Sequence, residues 1–313
     1  MNNAKKFFLK LIIAAIVLVL ADKLIGRWLT HSYFHISHGE QGRITYAIDS
    51  TTAPLLILGS SRAVHHYVPG IFTDSLHMDC YNTGKDNEGL YYCLAILTAD
   101  LQRYHPQTIL LDLTPNAFVS GETNLDRLSV LLPYYHSHPE IQPILDKRSP
   151  WERCKTLSTL YCYNSLVLQT LGRSTSEAFD QHSSHGYLPI YDTLSYAPSF
   201  VFDERWLTDP VVPSLVDAFQ KIVALARQNQ CKLAVIMSPA YYPLPNGSST
   251  LRLAKDICQH NRITFLDYTW SPTIADNRQT LFYDGMHLND AGAQRFTRLL
   301  CSDLIAKGFQ KSK

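Results

Sequence analysis

Apolar residues occur along the chain in short unbroken runs, separated by stretches in which they recur every three or four positions. The runs are 54–58 (PLLIL), 78–81, 108–113 (TILLDL), 232–237 (KLAVIM) and 263–266 (ITFL), the second being the weakest. A run that does not alternate with polar residues suits a strand covered on both faces, as in a parallel sheet. Between the runs, helices are predicted over about 89–104, 211–229, 251–260 and 290–306. In the second of these, Val216, Phe219, Ile222, Val223 and Ala226 mark one amphipathic face. Strand and helix alternating in this order predict an α/β fold with a doubly wound parallel sheet. The interval from about 118 to 208 breaks the rhythm. Possible helices at 139–145 and 151–171 precede a loop rich in Ser, His, Tyr and Pro. A connection this long reads as a largely helical insertion with structure of its own.

The N-terminus follows a different pattern. Lys5, Lys6 and Lys10 precede an apolar run over 11–21, Phe7, Phe8 and Leu9 extend it, and Leu24 and Ile25 resume it after Asp22 and Lys23. With Lys10 and Lys23 reaching towards opposite interfaces, 7–25 approaches the roughly 20 residues of a membrane span. A cleaved secretory signal is the alternative, but no small-x-small site follows Ala21. The expectation is an uncleaved signal anchor: 1–28 as a cytoplasmic tip and single transmembrane helix in the inner membrane, and 29–313 as an extracytoplasmic α/β domain carrying the insertion.

Composition narrows the function classes. With 313 residues, 46% of them hydrophobic, the chain can bury a full α/β core. Lys plus Arg number 28 against 27 for Asp plus Glu, and no basic stripe is visible, which sets nucleic-acid binding aside. The seven cysteines show neither a C-x-x-C pair nor zinc spacing. Cys80 and Cys231 lie in apolar runs and read as buried residues, and Cys154 and Cys162 are candidates to pair outside the cell.

In an open α/β sheet, the loops at the carboxyl ends of the strands build the ligand site. Here they carry Gly59-Ser60-Ser61-Arg62, Tyr81-Asn82-Thr83-Gly84 and Asp112-Leu113-Thr114-Pro115-Asn116, while Tyr283-Asp284-Gly285-Met286-His287 precedes the last predicted helix. A serine hydroxyl is a poor nucleophile until an imidazole takes its proton and a carboxylate orients that imidazole. Asp284 and His287 are spaced so that their side chains meet on one turn, leaving the second ring nitrogen for Ser61. Candidate oxyanion donors are the N–H groups of Ser61 and Gly84 and the amide of Asn116, with Asn87 as substitute.

These blocks resemble those of the SGNH/GDSL hydrolase family: Gly59-Ser60-Ser61 the first, Asn82-Thr83-Gly84 the second and Asp284-Gly285-Met286-His287 the terminal D-x-x-H. The resemblance spans about 54–305 without much of the insertion. It implies a flavodoxin-like sheet, ester hydrolysis or acyl transfer without a cofactor, Ser61 as nucleophile, His287 as base, Asp284 as its partner and Gly84 as an oxyanion donor. Two positions depart from the family pattern. Ser60 stands where aspartate is usual, as in anchored branches such as D-alanyl transfer proteins of teichoic acid, and Asn116 lies in Leu-Thr-Pro-Asn rather than Gly-x-Asn-Asp.

Each residue also has a plainer reading. Ser60 and Ser61 would cap a helix, Asp284 would cap the last one with His287 at the surface, Gly84 would serve a turn, and Arg62 would be solvated instead of holding an anionic substrate group. Close histidine pairs (His65/His66, His136/His138, His182/His185) raise a metal-dependent hydrolase, but no acidic cluster accompanies them and no metal site is expected. Tyr134, Tyr135, Tyr161, Tyr163, Tyr187 and Tyr191 would line a carbohydrate-facing cleft or simply pack the insertion. The reading these features favour is a membrane-anchored serine esterase or O-acyltransferase. Its partners would be an acylated carbohydrate or cell-envelope glycan and envelope polysaccharide machinery, with acetyl as the transferred group. A non-catalytic binding or assembly protein on the same fold is the rival.

Overall fold

The computed structural model describes residues 3–119, 125–167, 185–196, 210–243, 248–275 and 278–310. Five strands, β1 (Leu55–Leu58), β2 (Cys80–Asn82), β3 (Thr108–Asp112), β4 (Lys232–Met237) and β5 (Thr264–Asp267), form one sheet in the order β2-β1-β3-β4-β5. All neighbouring pairs are parallel, with Leu56 opposite Tyr81 on one side and Ile109 on the other. Each strand corresponds to one of the five apolar runs. The reason for the runs is visible in the burial. Leu55, Ile57, Leu110, Ala234 and Ile236 enter one core cluster, while the alternate residues Leu56, Leu58, Ile109, Leu111 and Val235 are equally buried on the opposite face.

The principal helices are α1 (Asn3–Phe34), α2 (Gly39–Asp49), α3 (Ser61–His66), α4 (Pro69–Leu76), α5 (Leu90–Arg103), α6 (Pro213–Gln228), α7 (Ser249–His260) and α8 (Asp290–Ala306). α8 packs against α3 and α4, and α5 against α6. The buried face of α6 is Leu215, Ala218, Phe219, Ile222, Val223 and Ala226, with Val216 only half-buried. α2 and α4 were not anticipated. α2 precedes the first apolar run, and the Arg103 side chain secures its end by donating to the carbonyls of Ala47, Ile48 and Thr51 at 3.3, 2.6 and 3.0 Å. The carbonyls of Ala47 and Ile48 would otherwise lack donors, as the last four of any helix do.

The chain divides into two compact units, one of Met1–Gly42 with Leu125–Ala178, the other of Arg43–Asn124 with Phe179–Lys313. The first departs from the expected boundary at 28, since α1 continues to Phe34 and packs against the insertion. Asp22 explains part of that packing. Its carboxylate accepts from Ser158 Oγ, from Thr159 N at 3.0 Å and from Leu160 N at 3.2 Å, capping a 3-10 turn at Leu160–Tyr163. Lys23 Nζ donates to Leu157 O at 2.9 Å, and Tyr163 to Thr30 Oγ1 at 2.9 Å. The charges that interrupt the apolar run therefore hold the insertion.

The expected transmembrane span needs correction: among the described residues no helix is long and apolar enough to cross a membrane. Lys10, Asp22 and Lys23 confine the uninterrupted run to 11–21, shorter than a bilayer requires. The expected helix at 151–171 is a single turn at Glu152–Lys155 and the 3-10 turn, and its end lies outside the described residues. Tyr134, Tyr135, Tyr163 and Tyr187 are buried, and of the six tyrosines considered for a cleft only Tyr191 is well exposed. All seven cysteines are free, so Cys154, exposed, and Cys162, buried, do not pair. Cys80 and Cys231 are buried.

Candidate active site

The site is built where β1 and β3 lie side by side while their connections leave in opposite directions, the crevice at which this strand order places ligands. β1 ends at Leu58, and Gly59 turns the chain into α3, whose first residue is Ser61. Only glycine suits this turn. At φ +155°, a Cβ on Gly59 would lie 2.6 Å from Ala63 Cβ and 3.1 Å from Asp112 Cβ. The β2 loop is fastened across the same turn, Thr83 N donating to Ile57 O at 2.9 Å and Lys85 N to Gly59 O at 3.3 Å.

Ser61, Asp284 and His287 come together. Ser61 Oγ lies 2.8 Å from His287 Nε2, across 226 positions of sequence. His287 Nδ1 lies 2.8 Å from Asp284 Oδ2 and 3.0 Å from Oδ1. Asp284 Oδ1 also accepts from Met286 N at 2.7 Å and His287 N at 2.8 Å, so the carboxylate shapes the loop it stands on. Burial would raise the Asp284 carboxyl, but the hydrogen bond and charge of His287, with the two backbone N–H groups, outweigh it and hold the carboxyl below its ordinary value. Asp284 is thus ionised at neutral pH and accepts from Nδ1–H, which turns the lone pair of Nε2 towards Ser61.

The loop is held from three sides. Phe282 and Leu288 form an antiparallel bridge, Tyr283 N donates to His287 O at 2.9 Å, and Tyr241 N, beyond β4, donates to Gly285 O at 3.1 Å. α8 is capped by Asn289, whose side chain accepts from Gly292 N at 3.0 Å, so Asp284 is not that helix's cap. Ser60 holds the cap position of α3 but makes no side-chain capping bond.

Two expected roles, those of Gly84 and Arg62, do not match the placement of their residues. Gly84 N–H donates to Asn82 Oδ1 at 3.0 Å, so it is not free to serve an oxyanion. Its missing side chain serves packing instead, because a Cβ there would stand 2.6 Å from Val64 N and 2.8 Å from Ala63 Cβ. Asn82 completes that seam, its amide donating to Ala63 O at 2.8 Å and Tyr67 O at 3.2 Å. Arg62 is 1% exposed, and its guanidinium donates to Ser238 Oγ at 3.0 Å, to Ser238 O and to Pro239 O at 3.3 Å, so it does not meet substrate. Asn116 is half-buried in the turn after β3, its carbonyl accepting from Val119 N at 3.0 Å, and Asn87 is exposed with φ 62°. Ser61 N–H sits in the first turn of α3, where a helix leaves its amides without intrahelical partners.

Beside the nucleophile turn, a cleft of about 270 Å³, open mouth included, is lined by Ser60, Glu88, Cys93, Asp112, Leu113 and neighbouring residues. The histidine pairs are committed elsewhere. His65 Nδ1 lies 2.7 Å from Leu188 O and its Nε2 3.2 Å from Asp86, His136 Nε2 lies 2.9 Å from Thr156 O, and His138 Nδ1 lies 2.8 Å from Glu140. Among the described residues no group of three His, Cys, Asp or Glu is placed to hold a metal ion, and His182 lies outside them. Sequence reasoning missed His66, Ser238 and Tyr241 as residues that brace the site. His66 carried a signal in its proximity to Ser61, but it was weighed only as a metal ligand.

No family model matches the sequence, and no curated protein matches it. Among solved structures, the chain is similar to a candidate acylhydrolase from Bacteroides fragilis, at 12% identity and TM-score 0.39, over 81% of this chain and 86% of that one. A candidate lipolytic protein of the G-D-S-L family from Desulfitobacterium hafniense matches at 8% identity and TM-score 0.39, over 81% and 97%. A GDSL-like lipase from Bacteroides thetaiotaomicron matches at 10% identity and TM-score 0.37, over 81% and 88%. At such identities and scores, the chemistry of this chain rests on the geometry of its own site.

Proposed function

We propose that the protein is a serine esterase or O-acyltransferase working through an acyl-serine intermediate at Ser61. The observation that carries this reading is the unbroken relay from Ser61 Oγ to His287 Nε2 at 2.8 Å and from His287 Nδ1 to Asp284 at 2.8 Å. His287 takes the Ser61 proton as Oγ attacks the acyl carbonyl, and returns it to the departing alkoxide as the C–O bond breaks. Water or an acceptor hydroxyl then gives its proton to His287, attacks the acyl-serine and releases Ser61. Asp284 stabilises the imidazolium formed in each half. The Ser61 N–H is the donor available to the oxyanion from the nucleophile's own helix.

The acyl group in this reading is acetyl. Envelope glycans are the proposed acceptors or substrates, and the location is extracytoplasmic. Support for a membrane setting is limited to α1, where Phe7, Phe8, Leu11, Ile12, Val17 and Leu18 are exposed behind Lys5, Lys6 and Lys10. Those features suit association with an anionic bilayer surface.

The test uses the full chain and its Ser61→Ala and His287→Ala variants, with fluorophosphonate labelling and hydrolysis of p-nitrophenyl esters of increasing acyl length. Labelling and turnover in wild type alone, falling with acyl length, is the expected result. A folded wild type that neither labels nor turns over any ester would leave the non-catalytic binding protein as the better reading.

A further inference from the structure

Behind the nucleophile lies a row of buried polar groups that the relay does not include. His66 closes α3, five residues after Ser61, and is fully buried. Its Nε2 lies 2.9 Å from Leu288 N, and its Nδ1 lies 2.9 Å from Ser238 Oγ. A backbone amide can only donate, so Nε2 carries no proton and Nδ1–H donates to Ser238. Ser238 Oγ also accepts from Arg62 Nε at 3.0 Å. Ser238 Oγ thus accepts from two donors at once, and on the neighbouring turn Tyr67 donates to Asp112 Oδ2. The donors of this row point one way, from the Leu288 amide to His66 and from His66 to Ser238 just beyond β4.

Two ends of this row matter for chemistry. Leu288 follows His287 directly, and His66 belongs to the same short helix as Ser61. The ring of His66 lies edge-on to that of His287, with centroids 6.3 Å apart. The row therefore ties the backbone of the base to the helix of the nucleophile, and anchors both to the end of β4. A hydrogen bond holding two reacting groups in register is worth far more in rate than in stability, since a displacement of about 1 Å costs roughly 10²-fold.

We propose that His66 is a positioning residue for the Ser61–His287 pair, acting through the Leu288 amide with Ser238 as its second anchor. The proposal rests on reading Ser61 as the nucleophile, and its test separates the two. Four forms of the full chain are compared: wild type, His66→Leu, His66→Gln and Ser238→Ala. Each is measured for kcat and KM on p-nitrophenyl acetate and for hydrogen exchange at the Leu288 amide. Gln keeps an acceptor for that amide and a donor for Ser238, while Leu keeps only bulk. The expected result is a loss of about 100-fold in kcat for His66→Leu with KM within about twofold, recovery to within about tenfold in His66→Gln, and Leu288 exchange that speeds up in His66→Leu but not in His66→Gln. Ser238→Ala leaves His66 in place and, if His66→Leu does not fold, shows the same fall in kcat more weakly. Equal kcat in wild type and in every folded variant of the three would overturn the positioning role while leaving the nucleophile reading intact. Slow Leu288 exchange in folded His66→Leu would do the same. A wild type without turnover would remove the reading on which the proposal stands.

Discussion

Asp284→Asn isolates the electronic part of the site from its folding. In the wild type, Oδ1 accepts from Met286 N at 2.7 Å and His287 N at 2.8 Å, while Oδ2 faces His287 Nδ1 at 2.8 Å. An asparagine keeps both backbone bonds only by placing its carbonyl oxygen at Oδ1. Its NH2 group then points at His287 Nδ1. Two donors cannot share that contact, so the imidazole must turn to the tautomer protonated on Nε2, and Ser61 Oγ faces a proton instead of a lone pair. The equivalent change in a serine protease triad lowers kcat by about 10⁴-fold, roughly 5 kcal/mol of transition-state stabilisation. The same fall is expected here, with the loop conformation and the unfolding midpoint nearly unchanged. The assay is kcat for p-nitrophenyl acetate, with the rate of fluorophosphonate labelling as the readout for the first half-reaction alone. A folded Asp284→Asn variant retaining more than a tenth of wild-type kcat would refute the relay, because Asp284 would then serve only the loop.

Three further outcomes follow from other parts of the molecule. Gly84→Ala places a Cβ 2.6 Å from Val64 N, a backbone atom that can move only with α3. Stability should fall by about 1–3 kcal/mol, with a loss of activity as Ser61 shifts, and a denaturant midpoint equal to wild type would show that the seam is looser than described. Asp22→Ala removes the acceptor for Ser158, Thr159 and Leu160, and should destabilise the unit containing the insertion by about 2 kcal/mol, with Asp22→Asn recovering part. Urea unfolding together with limited proteolysis within 125–163 measures it, and cleavage no faster than in wild type would count against the cap. Burial, reinforced by the charges of Arg62, His287 and His65, keeps the pKa of His66 well below the ordinary histidine value of about 6.5. Below pH 6.5 the unfolded chain takes up a proton that the folded chain refuses, so stability is complete above that pH and declines beneath it. The contribution approaches about 1.4 kcal/mol per pH unit until the folded pKa is reached. Denaturation measured from pH 7 downward should show that slope in wild type and lack it in His66→Gln, and equal slopes would refute it.

Much of the fold was legible because burial on both faces leaves a plain mark. β1 and β3 are runs in which every residue is buried, and β4 is another once past Lys232. β2 and β5 were legible less from their own residues, three and four long, than from their places in the alternation. α2 and α4 escaped notice because they are short and their sequences, GEQGRITYAID and PGIFTDSL, carry glycine or proline and little periodicity. α1 was legible as a helix. The purpose of Asp22 and Lys23 was not, because their partners lie more than 130 residues away.

The candidate site divides in the same way. The sequence by itself determined which residue types stand at the carboxyl ends of the strands, and with them a nucleophile, a base and a carboxylate, because hydroxyl, imidazole and carboxylate chemistry belongs to the residue and not to the fold. It also determined the pairing of Asp284 with His287, since three residues of chain leave little room for them to part. Only the tertiary structure decided that Ser61 meets that pair, because the meeting depends on strand order over 226 positions. It also decided against Arg62 and Gly84 as substrate contacts. A side chain beside a nucleophile points towards substrate or into the core according to what packs behind it, and the carbonyls of Ser238 and Pro239 behind Arg62 and the close approach of Val64 to Gly84 are supplied by elements distant in sequence.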